Sequence, residues 1–161
     1  MIKTRIVANS VITIGFMLFI SGCCQKWMPP KEIVGKWSGN HIVTVRTKDN
    51  DNHFVFTKAP DSLKFVIEIE ANGIVSGKIG NAAMTACKID KNRSEIGKTL
   101  NLATDFVITG NLSGIIFAED DLPSKHISIP INLNNNILDG SLFQKEGLSM
   151  YPMSDIHLRK D

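Results

Sequence analysis

The chain has 161 residues, with 18 Lys and Arg, 16 Asp and Glu, and a formal net charge of +2. This length suits one domain with a single core, and the near-neutral charge gives no electrostatic reason to bind nucleic acid. Lys3 and Arg5 precede an apolar run from Val11 to Ile20. The run is shorter than the roughly 20 residues of a membrane-spanning helix, so the sequence predicts a cleaved secretory signal.

The apolar run closes on Ile20-Ser21-Gly22-Cys23. This order resembles the lipobox of bacterial lipoproteins, a family in which the signal is cut before the cysteine and the cysteine is acylated. The resemblance implies a signal peptide over residues 1–22, a lipidated tether over 23–31 and an anchor on Cys23 that binds the membrane. Two or more acyl chains hold a protein durably on a bilayer. Without the signal the chain keeps 16 of its 18 basic residues against 16 acidic ones, so we expect a neutral domain.

Two further cysteines, Cys24 and Cys87, leave alternatives open. Export permits a disulfide between them, but a flexible tether rarely supplies the required geometry. The sequence favours the other alternative, in which Cys24 lies in the tether and Cys87 is a small buried apolar residue. Cys24, rather than an aspartate, follows the lipobox cysteine; under the sorting rule of Gram-negative lipoproteins this implies the outer membrane of the bacterial cell envelope.

Residues 32–161 are predicted to form one β domain. Short stretches in which apolar and polar residues alternate are separated by Asn, Asp and Gly, and no helical period is sustained. Alternation of period two is typical of strands that bury one face. The candidate strands are Gly35–Thr47, Phe54–Lys58, Leu63–Glu70, Ile74–Ile79, Met84–Ile89, Asp105–Phe117, His126–Leu133, Ile137–Gln144 and Asp155–Lys160.

Two hairpins can be predicted to the register. In the first, a three-residue Ala-Asn-Gly loop pairs Ile69 with Val75 and keeps the apolar residues of both strands on one face. A two-residue loop would exchange the faces of the second strand, since a slip of one residue reverses every side chain. In the second hairpin, a two-residue Asn-Asn loop pairs Leu133 with Leu138 and achieves the same match.

Glycines recur on the apolar faces of several candidate strands, in the pattern apolar-x-Gly-x-apolar. They are Gly77, Gly110, Gly114 and Gly140. Glycine inside a strand marks a bend, a bulge or a close approach, and repeated inward glycines favour a sheet that curls into a barrel over a sandwich. We therefore predict a single antiparallel up-and-down β-barrel of about eight to ten strands. Because glycine lacks a side chain, the same four positions are candidates for a pocket.

Gly35-Lys36-Trp37, before the first long strand, resembles the Gly-x-Trp motif that opens lipocalins and related calycin barrels. Thr104-Asp105-Phe106 is similar to their mid-chain Thr-Asp-Tyr motif. The resemblance implies a calycin-like fold in which Trp37 closes one barrel end and a basic residue of the last strand, Arg159, packs on it through a cation–π contact. Trp37-Ser38-Gly39 also resembles the opening of surface lipoprotein barrels of the transferrin-binding kind.

No catalytic or cofactor motif is found, and we expect a non-enzymatic protein without a cofactor. Asp49-Asn50-Asp51-Asn52-His53 has the start of a calcium loop but lacks its glycine and closing glutamate, so a β-turn is the better interpretation and no metal site is predicted. Calycin resemblance favours a binding module for a small apolar ligand inside the barrel. The alternative is a filled barrel that binds another envelope or surface protein, whose identity the sequence does not give.

Overall fold

The structure, a computed structural model, describes residues 27–92, 104–117 and 124–161. The predicted signal peptide, Cys23 and Cys24 lie outside these residues. Within the described ranges, no helix has the length and apolar character needed to cross a bilayer. The strands are β1 (Gly35–His41), β2 (Thr44–Lys48), β3 (Phe54–Lys58), β4 (Leu63–Ile69), β5 (Ile74–Ile79), β6 (Ala82–Lys91), β7 (Phe106–Ser113), β8 (Ser124–Asn134), β9 (Ile137–Glu146) and β10 (Ser149–Lys160).

Eight strands form a closed antiparallel barrel in the order β1, β10, β9, β8, β7, β6, β5, β4, with β4 pairing back onto β1. The predicted all-β, up-and-down barrel is confirmed. β2 and β3 stand outside the ring as a separate two-stranded hairpin. They are joined to each other by five residue pairs from Thr44 opposite Lys58 to Lys48 opposite Phe54.

The prediction of a single strand over Gly35–Thr47 is wrong, because the structure has two strands there, β1 and β2. β1 pairs with β4 up to His41 opposite Leu63, which is the first residue of β4. Beyond Leu63 there is no further β4 residue with which β1 could pair. The chain therefore leaves the barrel wall at Ile42 and begins β2, whose start is fixed by the N–H of Ala59 donating to the carbonyl of Val43 at 2.8 Å.

Both predicted hairpin registers are confirmed. Ile69 lies opposite Val75, and the third loop residue, Gly73, has a φ of 86°, which favours glycine. Leu133 lies opposite Leu138 across a two-residue Asn-Asn loop whose φ angles are 48° and 61°. Two positive φ values are typical of the type I′ turn, whose twist matches that of the strands.

The inward side chains of the barrel strands are buried in one apolar core. The largest side chains with less than 2% exposure are Trp37, Phe65, Ile33, Ile67, Ile69, Ile79, Ile108, Leu112, Ile116, Ile127, Ile129 and Ile131. We call the end where β1 begins and β10 finishes the Trp37 end. The opposite end, where β9 turns into β10 and where the β2–β3 hairpin lies, is called the hairpin end.

Candidate functional site

At the Trp37 end, the indole of Trp37 is fully buried and closes the barrel. Its Nε1–H donates to the carbonyl oxygen of Ile33 at 2.9 Å, and the N–H of Ile33 donates to Pro30 at 3.1 Å. Lys160 lies over the ring, with Nζ 5.3 Å from the ring centroid, and donates to the carbonyl of Glu32 at 2.9 Å. The turn over residues 30–33 is thus fastened to both the first and the last barrel strand.

The basic residue on Trp37 is Lys160, whereas the sequence interpretation named Arg159. Lys160 is directly opposite Trp37 across the β1–β10 pair, and Arg159 is opposite Ser38. Side chains directly opposite each other share a face, and neighbours along a strand point to opposite faces. The strand and the kind of contact were as expected, and the residue is one position later.

Packing against the barrel begins before the predicted domain start at residue 32. The ring of Trp27 lies 6.2 Å from that of Phe106, the aromatic residue of the Thr104-Asp105-Phe106 motif. Pro29 is buried, and its Cδ would lie 3.8 Å from a Cβ placed on Gly73. Part of the predicted tether therefore contacts the Trp37 end.

Gly77 and Gly140 lie where neighbouring strands approach closely. A Cβ on Gly77 would lie 2.1 Å from the carbonyl oxygen of Val66, and a Cβ on Gly140 would lie 2.1 Å from that of Pro130. Both distances are far inside van der Waals contact, and both neighbours are backbone atoms that cannot rotate away. The backbone of the adjacent strand therefore fills the space where a side chain at Gly77 or Gly140 would lie.

Gly110 faces a bulge in β6. The register of β6 against β7 shifts between Thr85 and Lys88, and Ala86 has a φ of 51°. A Cβ on Gly110 would lie 2.6 Å from the Cα of Cys87. Gly114, the last of the four, has more room, with its nearest neighbour, Ala82 Cα, at 3.7 Å, but its φ of 97° is one that other residues rarely adopt.

Cys87 is a free, buried thiol inside this bulge. Its Sγ lies 3.4 Å from the carbonyl oxygen of Thr85 and 3.6 Å from that of Asn111, which accept from the thiol. Burial raises the pKa of Cys87 and outweighs these two backbone contacts, so the thiol is neutral and poorly nucleophilic. Cys24, the other member of the disulfide considered from the sequence, is outside the described residues.

A histidine side chain continues the short seam between β1 and β10. Backbone pairing there covers only two residue pairs, and beyond them the N–H of His157 donates to Nε2 of His41 at 3.2 Å. Burial lowers the pKa of His41. His157 itself is 2.5 Å from Asp139 through Nδ1.

The hairpin end is organised by Arg46 of β2. Its guanidinium forms an ion pair with Glu146 of β9 and lies 3.6 Å from the ring centroid of Phe54 and 4.3 Å from that of Tyr151. Val45, which immediately precedes Arg46 on β2, points to the opposite face of the hairpin and is fully buried in the core. Val45 and Arg46 thereby hold the hairpin on the barrel, together with the ring of Phe56, whose centroid lies 6.1 Å from that of Tyr151 in β10.

Glu146 is also held from within β9. The side chain of Gln144 is 2% exposed, and its Nε2 donates to Glu146 Oε1 at 2.6 Å. The other amide atom, Gln144 Oε1, is buried without a hydrogen-bond partner. Gln144 thus positions the carboxylate that receives Arg46.

Around this anchor, the hairpin exposes an apolar surface that we call the hairpin patch. It consists of Ile42, Phe54 and Phe56, with exposed fractions of 46%, 54% and 59%. Val55, which lies between the two phenylalanines in sequence, points to the opposite face of the hairpin. A groove of about 490 Å³ separates Phe56 from the segment 152–155 of β10. Contiguous exposed apolar side chains of this kind mark interaction sites in soluble domains.

This patch was not predicted from the sequence. Phe54–Lys58 was recognised as a strand, and its Phe-Val-Phe composition is a signal for strand formation. What the sequence does not show is that no barrel strand covers it, because that depends on the departure of the chain from the wall at Ile42.

The acidic turn that joins β2 and β3 behaves as expected. Asp49, Asp51 and His53 form a group of exposed potential metal ligands whose atoms lie within 4.8 Å of one another. Oδ1 of Asp49 accepts the N–H of Asp51 at 3.0 Å and that of His53 at 2.8 Å. This is the hydrogen bonding of an Asx turn, in agreement with the interpretation from the sequence.

Comparison of the chain with protein-family models, with curated protein sequences and with solved structures found no match. The class of protein therefore follows from the architecture alone. It is a closed eight-stranded antiparallel barrel, consistent with a calycin-like barrel.

Proposed function

We propose that this chain is a lipid-anchored protein of the bacterial cell envelope whose filled barrel presents the hairpin patch to another envelope or surface protein. Of the two functions considered from the sequence, this is the alternative to a small-ligand carrier. The observation that carries it is the contrast between a barrel in which backbone atoms fill the space beside Gly77 and Gly140 and a hairpin that exposes two phenylalanines.

The burial of the large inward side chains supports a barrel that serves as a rigid support for the hairpin rather than as a container for a ligand. Trp37, Phe65 and Ile67 have exposed fractions of 0%, 0% and 1%, which leaves no water-sized space against these side chains. Eight strands enclose an interior that is just wide enough to be filled by side chains or to hold one small ligand, and here side chains occupy it around the described residues. A small apolar ligand near Gly77, Gly110, Gly114 and Gly140 stays a prediction without a supporting observation of free space.

The position of the predicted anchor favours an outward-facing hairpin. Trp27 is four positions after Cys23, and a chain of four steps reaches at most about 14 Å. Trp27 packs at the Trp37 end, whereas the hairpin is at the other end of β1, which is roughly 20 Å long. An acylated Cys23 would hold the Trp37 end near the membrane, and the hairpin patch would point away from it.

The anchor has a direct test. Replacing Cys23 with alanine should abolish incorporation of a fatty-acid label and leave unprocessed precursor, because acylation and cleavage both need the thiol-bearing residue. Gel mobility and label uptake are measured together. A Cys23→Ala variant that reaches the processed size and keeps the label would exclude this residue as the anchor.

The binding role is tested by site-specific photo-crosslinking in intact cells. A photo-reactive amino acid at Phe54 should give an adduct with another polypeptide, because this ring is 54% exposed in the hairpin patch. The same amino acid at Lys36, whose side chain is 55% exposed at the Trp37 end, is the matched control. Adducts of equal yield from both positions, or none from Phe54, would contradict the proposal.

A further inference from the structure

We propose that the outer edge of β3 pairs with the same edge of a second copy of this chain, forming a symmetric antiparallel strand pair. The proposal deepens the proposed function, on which it rests for an accessible hairpin, by naming one partner of that hairpin. The observations behind this proposal concern the backbone groups of β3, whereas the hairpin patch is defined by side chains.

The hydrogen bonds of the hairpin determine which backbone groups of β3 point outward. Asp49 N–H donates to His53 at 2.9 Å, and Ala59 N–H donates to Val43 at 2.8 Å, so both ends of the ladder are hydrogen-bonded pairs. Hydrogen-bonded and non-hydrogen-bonded pairs alternate along an antiparallel ladder. The positions that fall in the non-hydrogen-bonded pairs of β3 are Phe54, Phe56 and Lys58. The N–H and C=O groups of these three residues therefore face away from β2.

Between the turn and Lys58, this edge has little of the usual protection against strand pairing. Its residues have exposed side chains, and the strand contains neither proline nor a bulge. An exposed, apolar edge strand is a template for pairing with another chain, and natural proteins normally cover it or place charges along it. Only Lys58, at one end of the edge, carries a charge, and among the described strands β3 pairs with β2 alone, so this edge can accept an incoming strand.

The edge is complementary to itself. Antiparallel pairing about a two-fold axis at Phe56 places Phe54 of each copy opposite Lys58 of the other, with about six hydrogen bonds across the axis. Two cationic groups of the same chain lie over the ring of Phe54. Arg46 Cζ is 3.6 Å and Lys48 Nζ is 5.3 Å from its centroid. A lysine of the second copy would approach this half-exposed ring in the same way.

The edge also has the length that such a pair needs. It ends on one side at the turn, where Asn52 has a φ of 64°, and on the other side at Pro60, which has no N–H to donate. Three outward-facing residues remain, and they are symmetric about Phe56. A two-fold pair uses all of them.

The test compares two proline variants of the full chain purified in detergent. Lys58→Pro removes an N–H from the free edge of β3. Lys48→Pro removes an N–H from the opposite edge of the hairpin, because residue 48 also lies in a non-hydrogen-bonded pair. Both leave the β2–β3 ladder intact. Light scattering should show a dimer for the wild type and for Lys48→Pro, and at least ten-fold weaker dimerisation for Lys58→Pro.

Amide exchange of the wild type, followed by NMR, gives a second measurement that does not depend on a variant folding. The N–H groups of Phe54, Phe56 and Lys58 should exchange more slowly as protein concentration rises, while those of Val55 and Thr57 stay constant. A monomeric wild type, or equal dimerisation of the two proline variants, would overturn the second copy as partner. Crosslinking of a monomeric chain from Phe54 to a different protein would also overturn it while leaving the proposed function standing.

Discussion

Replacement of Trp37 by alanine should lower the free energy of unfolding by about 3–5 kcal/mol. The indole is fully buried, and its removal leaves a large cavity at the end of the barrel. The carbonyl of Ile33 also loses the donor that fixes the turn over residues 30–33. Lys160 loses the ring on which it lies. Denaturant unfolding, monitored by far-ultraviolet circular dichroism, measures the change.

Trp27 provides a matched control for this prediction, since the chain has only two tryptophans. It is half-buried and packs on the outside of the Trp37 end against Phe106. Trp27→Ala should therefore cost less than Trp37→Ala under the same conditions. An equal or larger loss for Trp27→Ala would mean that Trp37 does not close the barrel in the way described.

The registers of two hairpins could be predicted from sequence because burial leaves each one a single solution. Ile69 and Val75 share a face only with a three-residue loop, and a shift of one residue would expose one strand's apolar side chains. The information is local, since strand, loop and strand are contiguous in the chain. The barrel could be predicted from another local signal, because glycines that recur on the inward faces of several strands favour a sheet that curls and closes.

Contacts between strands distant in sequence could not be predicted to the residue. Whether Arg159 or Lys160 meets Trp37 depends on the register of β10 against β1, and β10 contains an irregularity between Pro152 and Ser154. One added or omitted residue exchanges the side chains on the inner and outer faces. No pattern within β10 itself reports that alignment.

The glycines illustrate the same limit. Alternation places Gly77 and Gly140 on the inward face, but it does not tell whether the space beside them is empty. That depends on how closely the neighbouring strand approaches, which at Gly77 is β4, through the carbonyl of Val66. Arg46 was missed for a related reason, since its partners Glu146 and Tyr151 are about a hundred residues away.

Gly140→Ala should destabilise the barrel by about 3 kcal/mol or more, at the upper end of the cost of overpacking. The added Cβ would lie 2.1 Å from the carbonyl oxygen of Pro130 and 2.8 Å from Cγ2 of Ile131, so β8 must move away from β9. For a domain of this size the melting temperature should fall by roughly 10 °C. Ser141→Ala is the control, because it lies next to Gly140 and loses only a hydrogen bond to Asp155, which is worth about 1 kcal/mol.

The Gly140→Ala variant also distinguishes the two hypotheses, a barrel filled by its own atoms and a barrel that carries a ligand. If Gly140 makes room for the backbone of β8, Gly140→Ala melts early, and the wild type takes up no apolar fluorescent probe. If the glycine instead lines a pocket, Gly140→Ala and even Gly140→Leu should melt within a few degrees of Ser141→Ala, and Gly140→Leu should lose a probe that the wild type binds. The distance of 2.1 Å to a backbone oxygen favours the first outcome, because strand backbone, unlike a flexible side chain, yields only by breaking the ladder that closes the barrel.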